Sequence, residues 1–154
     1  MSRMTNKPHG CDLRRGRYSQ YGQIYHITST TYQRKPIFSD LAIARCFVRA
    51  IMRESASAGT LAYVVMPDHF HWLIQLHEKA DLTACVSRVK SVSAHSINRY
   101  LGEKSPVWQR GFHDHALRKE EDLVHVARYI VANPLRARLV KSLSDYSFWD
   151  AVWI

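Results

Sequence analysis

Two strand-like runs joined by Pro67-Asp68 constrain the fold of this chain more than any other feature. Leu61 to Met66 (L-A-Y-V-V-M) is short and nearly all apolar, the pattern of a central strand. His69 to Leu76 (H-F-H-W-L-I-Q-L) alternates with period two, so His69, His71, Leu73 and Gln75 share one face. Phe70, Trp72, Ile74 and Leu76 share the other, which reads as a core face. Pro67-Asp68 turns the chain between the two runs.

The flanking segments extend this into an α+β pattern. Ile24 to Gln33 is rich in β-branched and aromatic residues and predicts a strand. Ser39 is placed to cap a helix with apolar positions Ala44, Phe47, Val48, Ile51 and Met52, and Gly59 to stop it. A longer helix is predicted from about Asp81 to Tyr100, with Leu82, Val86, Val89, Ser93 and Ile97 inward and Gly102 at its end. Val107 to Arg118 predicts a fourth strand with a bulge risk at Gly111. Glu120, Glu121 and Asp122 favour the start of a last helix, which Pro134 should end or kink after Asn133. The order β-α-β-β-α-β plus one helix is the ferredoxin-like or RRM-like split unit, two helices on one face of an antiparallel four-stranded sheet. Residues 1–154 read as one domain, with 1–20 a basic, partly flexible segment. The fold hosts many functions and selects none.

Composition narrows the classes. Hydrophobic residues at 46% and charged residues at 23% exclude global disorder. No run approaches the roughly 18 apolar residues of a membrane span, and the basic start has no apolar core of a signal peptide. Cys11, Cys46 and Cys85 are too few and too scattered for a disulfide framework or a cysteine zinc site, so a reducing, cytoplasmic setting is expected. The net charge of +9 is unevenly placed, with +6 in residues 1–35. Arg14, Arg15, Arg17, Arg34 and Lys35 there alternate with Tyr18, Tyr21, Tyr25 and Tyr32. Cations for phosphates with rings for bases suit single-stranded nucleic acid. A solvated basic tail followed by a strand with structural tyrosines explains this segment equally well.

Two segments carry chemistry. His69 and His71 stand side by side on a strand face, where neutral imidazoles can hold a divalent metal at fixed spacing. The plainer alternative is a pair of surface histidines without a task. On the last helix Leu123, Val126, Ala127, Ile130 and Val131 form the apolar stripe, and Tyr129 and Asn133 lie one turn apart. A tyrosine at a core edge and an asparagine before a helix-stopping proline would look the same. Spacing alone does not exclude Tyr25, Tyr63 or Tyr100 as the reactive tyrosine.

Several stretches, taken in order, carry a resemblance. They are R-R-G-R-Y-S, Y-H-I-T-S-T-T, V-V-M-P-D-H-F-H-W-L, V-W-Q-R-G-F-H-D-H-A-L-R and Y-I-V-A-N-P-L-R-A-R-L-V, spread over residues 13–140. The chain resembles the single-tyrosine HUH transposases (histidine, hydrophobic, histidine), and most closely the REP-associated tyrosine transposases of bacteria. The resemblance implies that His69 and His71 bind the catalytic metal, Mg²⁺ or Mn²⁺, with Asn133 as third ligand. It implies that Tyr129 is the nucleophile, leaving a 5′-phosphotyrosine and a free 3′-hydroxyl. Its implied substrate is a hairpin-forming single-stranded DNA, a REP-like element, with an adjoining tetranucleotide read by the N-terminal region. Asp114 and His115 are candidates for supporting contacts around the metal. Arg138 departs from the family pattern, where a glycine or small turn residue is expected.

Beyond the N-terminal segment, phosphate contacts are expected from Arg88 and Lys90 on the second long helix, with Arg99 as a further candidate. Three classes remain: a DNA strand transferase, a non-catalytic nucleic-acid binding module with an RRM-like sheet, and a phosphodiesterase using water. Either a monomer or a homodimer with exchanged tyrosine helices is compatible with the sequence.

Overall fold

The computed structural model describes residues 22–118 and 123–152. Its elements run β1 (Ile24–Thr30), α1 (Leu41–Arg53), β2 (Ala58–Met66), β3 (His69–Leu76), α2 (Leu82–Leu101), β4 (His113–Ala116), α3 (Leu123–Val131), the single turn α4 (Asn133–Arg136) and β5 (Trp149–Ala151). The strands form one antiparallel sheet in the order β4-β1-β3-β2-β5. The α+β split unit is therefore present, with β5 as a fifth strand beyond the four expected.

The two sheet faces are built differently. Tyr25, Ile27, Phe70, Trp72 and Ile74 meet α1 and α2 in the larger core. An aromatic group sits at its centre, with Phe47 and Phe70 ring centroids 4.4 Å apart and Trp108 packed edge-on to Phe70 at 5.3 Å. The indole N–H of Trp72 donates to Thr60 Oγ1 at 3.0 Å, which satisfies its one polar atom in a fully buried site. On the other face, α3 lays Ala127, Ile130 and Val131 over Ala62, Val64, Met66 and Leu73, beside β5. Tyr25 is thus a core residue at 4% exposure, and no ring for stacking bases.

Several boundaries move for physical reasons. β1 ends at Thr30 rather than Gln33, because Gln33 and Arg34 take positive φ (53° and 52°), which no strand accommodates. The cap of α1 is Asp40, whose side chain accepts from the Ala42 N–H, and not Ser39. Gly59 does not stop that helix; α1 ends at Arg53, and Gly59 lies within β2. The expected strand over 107–118 shortens to four residues. Trp108 still bridges to Thr31, but Lys90 Nζ donates to the carbonyls of Gln109 and Gly111, and Gly111 takes φ +76°, so the chain bends between that bridge and β4. The second long helix has the expected limits, with Asp81 capping it and Gly102 ending it at φ +66°. Pro134 acts as expected: α3 stops at Val131 and a separate turn begins at Asn133.

Candidate active site

The β2–β3 turn fixes the first histidine. Backbone N–H groups of Thr31 and Phe38 donate to the carbonyls of Asp68 and Pro67 at 2.9 and 3.0 Å, which clamps the turn from outside. Asp68 Oδ1 then lies 2.7 Å from His69 Nδ1, and Arg34 reaches the other carboxylate oxygen at 3.4 Å. Burial opposes the Asp68 charge, but the hydrogen bond from His69 and the charges of His69 and Arg34 outweigh it. The carboxyl is held below its ordinary value.

His71 is fixed from a neighbouring strand. Register sets Thr28 beside it across β1 and β3, and Val64 beside it across β2. His71 Nδ1 lies 2.9 Å from His26 Nε2 and 3.2 Å from Thr28 Oγ1. Burial first, then the nearby His26, His69 and Arg136, push its pKa down to about 3. The ring is therefore neutral at physiological pH, the form that donates a lone pair to a metal. His26 is itself lowered, by burial and then by His115.

This chemistry fits a divalent cation. Both Nδ1 atoms are engaged by protein partners, which leaves each Nε2 as the nitrogen able to ligate a metal. The two rings meet edge to face with centroids 5.1 Å apart. No group of three or more His, Cys, Asp or Glu side chains converges among the described residues. Among the described residues a third ligand would be of another type, such as an amide. Asn133 donates its Nδ2 to the Ile130 carbonyl at 2.7 Å, which leaves Oδ1 as the atom able to serve.

Tyr129 sits on the exposed side of α3, 56% accessible, because Ala127, Ile130 and Val131 take the sheet-facing stripe. The guanidinium of Arg136 lies 3.8 Å over its ring. The charge of Arg136 also contributes, after burial, His26 and His69, to lowering the His71 pKa.

The sequence matches the family described as Transposase IS200 like over residues 19–133, three quarters of the chain. The chain belongs to that family. A REP-associated tyrosine transposase of Escherichia coli is 34% identical over 88 residues, covering 56% of this chain and 50% of that protein. A Haemophilus influenzae relative is 30% identical over 99 residues, covering 58% of this chain and 56% of its own length. The matches thus span about half the length of these relatives. A solved REP-associated tyrosine transposase bound to a REP hairpin superposes with a TM-score of 0.69 at 25% identity, covering 86% of this chain and 79% of the other.

Other expected residues fall unevenly in this chain. His115 pairs with His26 across β4 and β1, on the histidine face. Asp114 pairs with Ile27 and so belongs to the opposite face, which corrects its place beside the metal. Arg88 binds both oxygens of the buried Glu54 at 3.0 Å, and Lys90 holds two loop carbonyls. Both are structural clamps rather than open phosphate contacts. Arg34 is exposed but paired with Asp68, and Lys35 is exposed. Arg14, Arg15 and Arg17 lie outside the described residues. His26 and Arg136 were not singled out from sequence. The signal for His26 was available, since it alternates in register with Thr28 on a strand next to the H-x-H run. Nothing in sequence spacing tied Arg136 to His71.

Proposed function

We propose that this IS200-like transposase is a metal-dependent single-stranded DNA endonuclease and strand transferase acting on hairpin-forming, REP-like DNA through a 5′-phosphotyrosine. The observation that carries this reading is the pair of histidines with anchored Nδ1 atoms on the sheet face over which the tyrosine helix packs. His69, His71 and Asn133 Oδ1 would hold Mg²⁺ or Mn²⁺. Such an ion, when bound, supplies Lewis-acid polarisation of a phosphodiester oxygen, and three neutral ligands leave its charge undiminished. Imidazole ligands favour Mn²⁺ over the oxygen-seeking Mg²⁺.

The chain's own groups account for the remaining steps. The exposed Tyr129 hydroxyl attacks phosphorus as its proton departs to water, and the bond from phosphorus to the 3′ oxygen breaks, that oxygen taking a proton from water to leave as a 3′-hydroxyl. The 5′-phosphotyrosine keeps the ester bond energy, so a 3′-hydroxyl of another strand can reverse the step and join DNA without ATP. Arg136 is placed to hold the attacked phosphate while shielding the tyrosine ring. The solved relative's REP hairpin supports a hairpin substrate, recognised beside its stem by the basic N-terminal segment. A DNA substrate sets its place of work in the cytoplasm, at the nucleoid. Whether α3 works within its own chain or is exchanged in a homodimer leaves these roles unchanged.

The deciding experiment is a denaturing gel after incubation of the protein with hairpin DNA and Mn²⁺. A covalent protein–DNA band that disappears in Tyr129→Phe is expected. Cleavage without any adduct would indicate water as the nucleophile, and binding without cleavage would indicate a recognition module.

A further inference from the structure

Arg45, Arg49 and Arg53 stand at successive helical turns along α1, and all three are exposed. The buried stripe of that helix is Ile43, Ala44, Phe47, Ala50 and Ile51, so the arginines line the side turned from the core. No acidic residue lies between Leu41 and Arg53. The acids bounding the helix are already engaged: Asp40 caps it, and Glu54 binds Arg88. None of the three guanidiniums has a hydrogen-bond, ion-pair or ring partner among the described residues. Like charges four residues apart destabilise a helix slightly, a cost that a bound polyanion would offset.

We propose that Arg45, Arg49 and Arg53 grip the phosphate backbone of the base-paired stem of a DNA hairpin. This rests on the DNA-processing reading above. The row is straight and spans about 12 Å, over which a duplex presents roughly seven phosphates. The exposed side of α1 carries no aromatic ring, so it offers single-stranded bases nothing to stack on. An anionic membrane is a poorer match, because the apolar stripe that would enter it is already buried against the sheet. α1 lies on the face opposite the histidines, yet its start is tied to their turn: Phe38 N–H bonds to the Pro67 carbonyl, and Arg34 pairs with Asp68. Exposed Lys35 lies between them. Arg34 and Lys35 thus lie along the chain between the arginine helix and the turn that carries His69.

The test is a salt titration of DNA binding without metal, comparing the full chain with R45Q/R49Q/R53Q. The probes are a labelled hairpin and a stemless strand of equal length. With the hairpin, the slope of log affinity against log salt should fall by about 2.5, near 0.9 per lost contact. With the stemless strand it should change by less than about 0.5. The three single variants should each give about a third of the effect, which keeps the test valid if the triple variant folds poorly. Hairpin binding with an unchanged slope overturns the arginine row alone, and an equal fall on both probes overturns its assignment to the stem. Loss of phosphatidylserine-vesicle binding with hairpin binding intact would make it a membrane contact. A wild-type chain that binds neither DNA overturns the functional reading and this surface together.

Discussion

His26 Nε2 lies 2.9 Å from His71 Nδ1, across β1 and β3, with Thr28 Oγ1 3.2 Å from the same nitrogen. A metal on His71 Nε2 requires the proton on Nδ1, and that N–H then donates to His26. The contact selects the tautomer and the ring orientation. His26→Ala should weaken Mn²⁺ affinity by about 10- to 100-fold, the usual effect of removing such a support. Calorimetric titration with Mn²⁺ measures it, and unchanged affinity would remove His26 from the site.

Acid should unfold the metal-free protein through the same pair. His71 has its pKa pushed down to about 3 by burial, while the unfolded chain titrates near 6.5. Between these values the unfolded state holds the extra proton, so stability is full above about pH 6.5 and falls as pH drops below it. At pH 5.5 this one group costs about 1.4 kcal/mol, and His26, lowered as well, acts in the same direction. Urea unfolding at pH 7.5 and 5.5 should show the loss, with a smaller one in His71→Gln. Equal losses in both proteins would assign it elsewhere.

Tyr129→Phe removes one oxygen from an exposed side chain, so stability should change by less than about 0.5 kcal/mol. DNA and metal binding should persist while the covalent adduct vanishes. An adduct still formed by this variant would place the chemistry on another tyrosine.

Arg88→Ala should behave as a stability mutation. It leaves the buried Glu54 carboxylate without its two hydrogen bonds, a loss of about 1.5–3 kcal/mol. The salt slope for DNA binding should stay as in wild type. A slope shallower by nearly one unit would restore Arg88 as a phosphate contact.

Arg138 occupies φ +57°, the left-handed region in which a side chain is strained. Arg138→Gly should therefore raise stability by up to about 1 kcal/mol, read as a higher urea midpoint at unchanged slope. A lower midpoint would show that the arginine side chain repays the strain through its own contacts.

The central hairpin, its two faces and the long second helix were legible because period-two and period-3.6 patterns there meet clear stops at Pro67 and Gly102. β5 was not, since three residues (Trp149–Ala151) are too few for a period and pair only because β2 offers an open edge. Asp114 looked close to the metal because it precedes His115 in sequence, but adjacent strand residues point to opposite faces. Arg88 and Lys90 looked like free cations for a related reason: Glu54 and the 109–111 carbonyls are distant in sequence and meet them only after folding. Sequence supplied the residue types of the site, and three-dimensional pairing decided which charges were already taken.

The aromatic packing around Phe47, Phe70 and Trp108 lies wholly on one side of the sheet, while the imidazoles and the tyrosine helix occupy the other. Substitutions at exposed positions of the tyrosine helix, such as Tyr129, therefore leave the aromatic core untouched. Lineages of such a domain can accumulate changes in target choice without drawing down the narrow stability margin that limits most enzymes.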